Sequence, residues 1–239
     1  MVEIGPWLAA YRHAVLAEFG ARVRFIGIQG SHARGEAGEG SDIDAVLILD
    51  RLTPHDLRRY RALAAGLPHA RLLCGFVAGA AELAAWDRAD RLSFYFDTRP
   101  VYGTLDALLD APTADDAARA VSLGACGLYH ACCHGLLHGL DEPALRALCK
   151  QARFVLQAAQ FAAGGRYAAS LLELDARAAG REKEICALIR RAAQGQALAP
   201  EQGAEALLCW AQELIARYAP RAAAPSGGPG WSGAAHARK

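Results

Sequence analysis

The segment Asp42–Leu49 (DIDAVLIL) constrains this chain more than any other. From Ala45 on it is continuously apolar, short and rich in β-branched and aliphatic residues. That is the pattern of a strand buried on both faces, so other elements must cover it on each side. Yet the run opens with two acids, at the point where uncompensated charge is most expensive. The neighbouring segments supply the cover. Pro6–Phe19 sets Leu8, Tyr11, Val15, Leu16 and Phe19 near one helical face, with Gly20 as its stop. Arg22–Gly30 (RVRFIGIQG) is predicted to be a strand ending in glycine. Thr53-Pro54 opens a helix that runs to about Gly66. Ala70–Val77 and Leu92–Phe96 (LSFYF) are predicted to be further strands, with a short helix near Ala81–Trp86 between them and Val101-Tyr102 extending the last edge.

After Gly103 the chain becomes alanine- and leucine-rich, with helix punctuation and no convincing strand. One long helix starts at Thr113-Ala-Asp-Asp, and another starts at Asp141-Glu142-Pro143 and ends at Gly164-Gly165. Arg181–Gln194 and Pro200–Tyr218 supply two more, and four such helices predict an antiparallel bundle. The tail from Pro220 is rich in Pro, Gly, Ala and Ser and is expected to be disordered. The predicted organisation is an α/β head over 1–103, a helical bundle over 104–219 and a tail over 220–239.

Composition narrows the class. Of 239 residues, 53% are hydrophobic and 21% charged, which excludes a mainly disordered chain. The net charge is +1 and no segment is strongly basic, so nucleic acid is not an expected partner. The tryptophans at 7, 86, 210 and 231 form no stacking platform. Seven scattered cysteines give no disulfide framework, and Glu3 stands where a signal peptide would carry basic residues. Reduced thiols in the cytoplasm are the expectation. Ala120–Leu140 lacks Lys, Arg, Asp and Glu over about a membrane-span length, but contains His130, His134, His138 and four glycines. It is read as a buried bundle helix, with no membrane. Those histidines share one helical face beside Cys133, but no second Cys/His pair stands at zinc spacing. They are read as polar positions on the bundle.

The chemistry is concentrated in Gly30-Ser31-His32-Ala33-Arg34-Gly35-Glu36 through Gly40-Ser41-Asp42-Ile43-Asp44. A strand that ends in Gly-Ser and passes into a short helical turn leaves backbone N–H groups free to bind phosphate. Ser31 adds a hydroxyl, and Arg34, one turn on, adds a cation. Asp42 and Asp44, two apart on a strand, project from one face while Ile43 and Ala45 point into the core. Paired carboxylates of this kind favour Mg²⁺, bound together with substrate phosphates. Further along, Lys150, Arg153 and Gln157 form a polar stripe on an apolar helix, read as a solvated face.

The stretch GSHARGEAGEGSDID resembles the Gly-Ser … Asp-x-Asp signature of the nucleotidyltransferase superfamily, which includes DNA polymerase β, the kanamycin and streptomycin nucleotidyltransferases and the minimal nucleotidyltransferases. The resemblance implies an α+β chain, with a small mixed-sheet head followed by an all-α substrate-binding bundle. Lys150–Ser170 is similar in pattern to a helix and turn of the antibiotic-modifying members. The implied reaction moves a nucleoside monophosphate from an NTP, ATP by default, to a hydroxyl of a small molecule, an antibiotic being one class. The bundle is near neutral, which weakens the case for a polycationic aminoglycoside. Asp42 and Asp44 would hold Mg²⁺. Gly30 and Ser31 would grip the β- and γ-phosphates, with Arg34, Ser41 and Lys150 completing the nucleotide site. Active members also carry a third carboxylate on a neighbouring strand, and Arg71–Val77 has none. Asp97 is the first candidate, then Glu82 and Glu36. The alternatives are an enzyme that adenylylates a protein, or a nucleotide-binding regulator that has lost catalysis. A homodimer is compatible with each.

Overall fold

The computed structural model describes residues 2–219, so the tail over 220–239 lies outside the described residues. The head is built on a mixed four-stranded sheet of β1 (Val23–Ile28), β2 (Ile43–Leu49), β3 (Leu73–Gly79) and β4 (Arg99–Tyr102), in the order β3-β2-β1-β4. β1 runs antiparallel to β2 and β4, and β2 runs parallel to β3. As its apolar run requires, β2 is central and covered on both faces. Ile43, Ala45, Leu47 and Leu49 pack with Tyr11 and Val15 of α1 (Ile4–Phe19), and α3 (Pro54–Ala65) adds Tyr60 and Leu63. Val46 and Ile48 face the opposite core with Phe25, Leu83 and Phe94. Each fully buried Val, Leu or Ile contributes about 1.5–3 kcal/mol, so this strand anchors the head. Between the strands lie α2 (Gly30–Arg34), α4 (Ala80–Ala85) and α5 (Arg88–Asp97).

Capping fixes where several helices begin. Thr53 and Asp56 form a reciprocal capping box at α3, and Arg22 reaches Asp56 at 2.6 Å, tying the start of β1 to that helix. Thr113 and Asp116 repeat the box at α6 (Ala114–His138). Each such cap contributes about 1 kcal/mol.

The helical half contains α6, α7 (Glu142–Gly164), α8 (Leu171–Arg177), α9 (Arg181–Ala193) and α10 (Pro200–Tyr218). Val121, Ala125 and Leu128 of α6, Leu145 and Leu156 of α7, Ile185 of α9 and Leu207 and Trp210 of α10 share one core. The short α8, held by a Ser170–Glu173 capping box, was not expected from the sequence.

Three expectations are corrected. Leu92–Phe96 is not a strand but the second half of α5, capped where Asp87 accepts from the Ala89 N–H at 2.9 Å. The alternation of LSFYF imitates a strand because this helix serves two cores. Leu92 and Phe96 pack into the helical half, while Phe94 and Tyr95 pack onto the sheet. Second, α6 buries only one stripe. Leu123, Cys126, Tyr129 and Leu137 are exposed on its other side, and His130, His134 and His138 stand there too. This helix is long and apolar enough to cross a membrane by length and composition. Third, the stripe on α7 is not a solvated face: Gln157 is 1% exposed and donates to the Ala168 carbonyl at 2.9 Å.

Candidate active site

The site begins where β1 runs out. The Gln29 N–H donates to the Asp44 carbonyl at 2.9 Å, which sets the first turn of α2 directly against β2. Gly30 follows with φ +66°, and a Cβ there would lie 1.9 Å from Asp44 Oδ2. Both the backbone and the approach require glycine. α2 is a single turn that stops at Gly35, in the left-handed conformation, and its first N–H groups have no intrahelical acceptor. The returning loop is tightened where Ser41 Oγ accepts from the Gly38 N–H at 2.9 Å, and it delivers Asp42 to the head of β2.

All eight residues singled out in the sequence, Gly30, Ser31, Arg34, Ser41, Asp42, Asp44, Asp97 and Lys150, line one cleft of about 600 Å³. Gln29, Gly40, Ser93, Phe94 and Phe154 line it as well. Of these, the two phenylalanines and Ser93 carried no sequence signal, because an aromatic on α5 or α7 looks like any core residue until the halves are packed. Burial, then the neighbouring Asp42, pushes the Asp44 carboxyl above its usual range, and Lys150, Arg34 and His32 offset part of this. Such a pair calls for a cation. Two carboxylates beside a turn with free N–H groups suit Mg²⁺, which takes one or two protein carboxylates and completes its shell from substrate and water. Among the described residues no three His, Cys, Asp or Glu side chains are gathered as a complete metal site. The donor set therefore fits an ion shared with a substrate, not a protein-only cage.

Asp97 reaches the cleft from the last residue of α5, not from a strand end. Tyr167, in the loop between α7 and α8, donates to Asp97 Oδ2 at 2.9 Å and stacks on Phe96 with ring centroids 4.6 Å apart. Asp97 Oδ1 is buried without a hydrogen-bond partner among the described residues. Burial raises the Asp97 carboxyl, and the hydrogen bond from Tyr167 and the charges of Arg34 and Arg153 oppose that rise. It lines the cleft without joining Asp42 and Asp44 in a three-ligand group.

The other two acids stand elsewhere. Glu82 is exposed on α4 and does not line the cleft. Glu36 is bound by Arg34 at 2.7 Å and by Arg153 at 3.3 Å. On β3, the residue in register with Asp44 is Cys74, so no carboxylate of that strand flanks the pair.

Residues 10–70, which contain the whole Gly30–Asp44 segment, match the family model of the nucleotidyltransferase domain. No curated protein matches the sequence significantly. Among solved structures, the chain is similar to a spectinomycin adenyltransferase from Enterococcus faecialis, crystallised with ATP and spectinomycin. The likeness covers 88% of this chain and 98% of that one, with a TM-score of 0.56 at 12% identity. Residues 10–70 thus match a nucleotidyltransferase domain model, and the chain with its helical half shares the fold of that adenyltransferase.

Proposed function

We propose that this protein transfers a nucleoside monophosphate from an NTP, with ATP the default donor, to a hydroxyl of a small molecule in a Mg²⁺-dependent reaction that releases pyrophosphate. The observation that carries the reading is the convergence on one cleft of the Asp42/Asp44 pair, the Gly30-Ser31 turn, Lys150 and Asp97. The likeness to an adenyltransferase crystallised with ATP and an antibiotic supports both kinds of partner.

In this reading the N–H groups of the α2 turn and the Ser31 hydroxyl hold the outer phosphates, and Lys150 faces them from α7. Asp42 and Asp44 would hold Mg²⁺, which would neutralise charge on the triphosphate and lower the pKa of an acceptor hydroxyl. The acceptor oxygen bonds to the α-phosphorus as the bond to the pyrophosphate oxygen breaks. Positioning and charge stabilisation do most of the work in such transfers. Asp97, which lines the cleft and whose Oδ2 accepts from the Tyr167 hydroxyl, is the group we assign to take the hydroxyl proton. Phe94 and Phe154 give the acceptor side an apolar wall, which suits a small organic body better than a polycation. All seven cysteines are free thiols, as suits the cytoplasm.

A nucleotide-binding protein without turnover is the second reading. The cysteine opposite Asp44 on β3 favours it. Pyrophosphate release from NTPs with Mg²⁺, screened across small hydroxylated acceptors, separates the two. Release with an acceptor supports the enzyme, and tight NTP binding without release on any acceptor supports the regulator. A protein that binds no NTP overturns both.

A further inference from the structure

A second cavity opens off the catalytic cleft. It holds about 330 Å³ between α5, α6 and α7, and Ser93 and Phe154 line both spaces. Apart from Asp90, Ser93 and Gln151, its lining residues are apolar or glycine, Leu92, Leu123 and Val155 among them. Leu123 and Phe154 are large and apolar, yet they stay 51% and 42% exposed in this concave setting. The two spaces differ in charge. Arg34 and Lys150 line the cleft, whereas among the described residues no Lys or Arg lines the second cavity, and Asp90 is its one charged group. Arg119, which Asp90 also attracts, is held by Asp87 at 2.6 Å, and Asp90 has no ion pair of its own among the described residues. α5 connects the two spaces. Asp90, Ser93 and Asp97 stand at i, i+3 and i+7, on one face of that helix. At about 1.5 Å per residue, Asp90 and Asp97 are about 10 Å apart along its axis.

We propose that this second cavity receives the body of the acceptor, and that the acceptor is a hydroxylated monoamine. Its apolar or aromatic body fills the cavity, its one ammonium group meets Asp90, and its reacting hydroxyl lies about 10 Å away beside Asp97. The proposal rests on the nucleotide-transfer reading above and names the substrate class. Three features support it. The volume and the mainly apolar lining with a few polar groups are those of a small-molecule site, for which about 300–1,000 Å³ is usual. Second, the cations are segregated. Arg34 and Lys150 draw the triphosphate into the cleft, and the cavity without Lys or Arg offers it nothing, so the cavity is left to a different part of the reaction complex. Third, one carboxylate balances one ammonium group. Each further cation of a polyamine would lose water against Leu92, Leu123 and Val155 without a counter-charge. Ser93 and Gln151 supply the hydroxyl and amide that orient the body between its two ends.

The full chain is saturated with Mg²⁺ and a non-hydrolysable ATP analogue and titrated by calorimetry with three probes. These are an octanol carrying an amine at the far end of its chain, octanol itself, and a propanol with a terminal amine. The amino-octanol is expected to bind at least about tenfold more tightly than either of the others, since only it reaches from Asp90 to the cleft with a charge. Asp90→Asn is expected to weaken the amino-octanol by about tenfold and to leave octanol and the ATP analogue within about twofold. Leu123→Arg, which brings a cation into the cavity, is expected to abolish amino-octanol binding with the analogue again within about twofold. If Asp90→Asn melts below the parent protein, Leu123→Arg carries the test, because the Leu123 side chain is half exposed. A parent protein that binds the analogue but not the amino-octanol, or that prefers octanol or the polycation kanamycin to it, overturns the subsite. So does an amino-octanol affinity that neither variant changes. In each of these cases nucleotide binding persists and the transfer reading survives. A parent protein that binds no nucleotide overturns both.

Discussion

Gly30 and Asp44 are fitted to each other so closely that a single methyl group on the glycine would stand 1.9 Å from the carboxylate oxygen. Gly30→Ala must therefore displace the Asp44 side chain or the turn, and it also forces a side chain into φ +66°. Backbone strain of this kind costs about 1–2 kcal/mol. We expect a modest loss in melting temperature and a larger loss in Mg²⁺-dependent ATP affinity, measured by calorimetry. Undiminished affinity would show that Asp44 does not need its observed position.

Asp44 carries an ionisation penalty from burial and from Asp42. Its folded pKa lies above the unfolded one, so the penalty is absent below the unfolded value, builds as pH rises from there to the folded value, and is fully present above it. Asp44→Asn is therefore expected to match or exceed the parent protein in thermal stability at neutral pH while losing the Mg²⁺-dependent part of NTP binding. Thermal melts from pH 3 to 8 should show the variants diverging only on the alkaline side. A variant that is destabilised at neutral pH would reveal a structural role for this carboxylate.

The Tyr167 hydroxyl favours the charged form of Asp97. Tyr167→Phe removes that hydrogen bond and moves the Asp97 carboxyl further up. If Asp97 accepts the acceptor's proton, the acidic limb of the pH–rate profile shifts to higher pH in Tyr167→Phe, and Asp97→Asn abolishes turnover with most NTP binding intact. An unmoved limb removes Asp97 from the chemistry.

At the start of α6, burial opposes ionisation of Asp116. Arg88 at 2.9 Å and the Thr113 N–H at 2.7 Å outweigh it and hold the carboxyl at about 2. A depressed folded pKa gives stability that is present above the unfolded value near 4 and lost as pH falls through the folded one. Asp116→Asn should cost about 2 kcal/mol at pH 7, and the gap to the parent protein in chemical denaturation should close between about pH 4 and pH 2. A gap that persists at pH 2 would assign the loss to packing instead.

The Asp42–Leu49 run told most about the head, because a strand with no polar face has few places to lie. The acids at its start stood out for the same reason, since charge bordering an apolar run needs a partner. Helix starts at Thr53, Thr113 and Asp141 were legible because capping is local chemistry. LSFYF misled because its alternation answers to two cores, and nothing local reveals that the second core comes from residues more than twenty positions away. The Asp87 cap before it was the better signal. Gln157 and Arg153 looked like solvent-facing residues because what they hold, the carbonyls of Ala168 and Ala169, lies in a loop that turns back only in three dimensions.

Because α5 gives Leu92 and Phe96 to the helical half and Phe94 to the sheet, it behaves as a shared beam between the halves. A chain cut after residue 103 would keep every strand and the whole Gly30–Asp44 signature. It would also leave Leu92 and Phe96 wet and Asp97 without its tyrosine. Such a fragment would retain the motif and lose the cleft, so preparations meant to measure catalysis have to keep both halves joined.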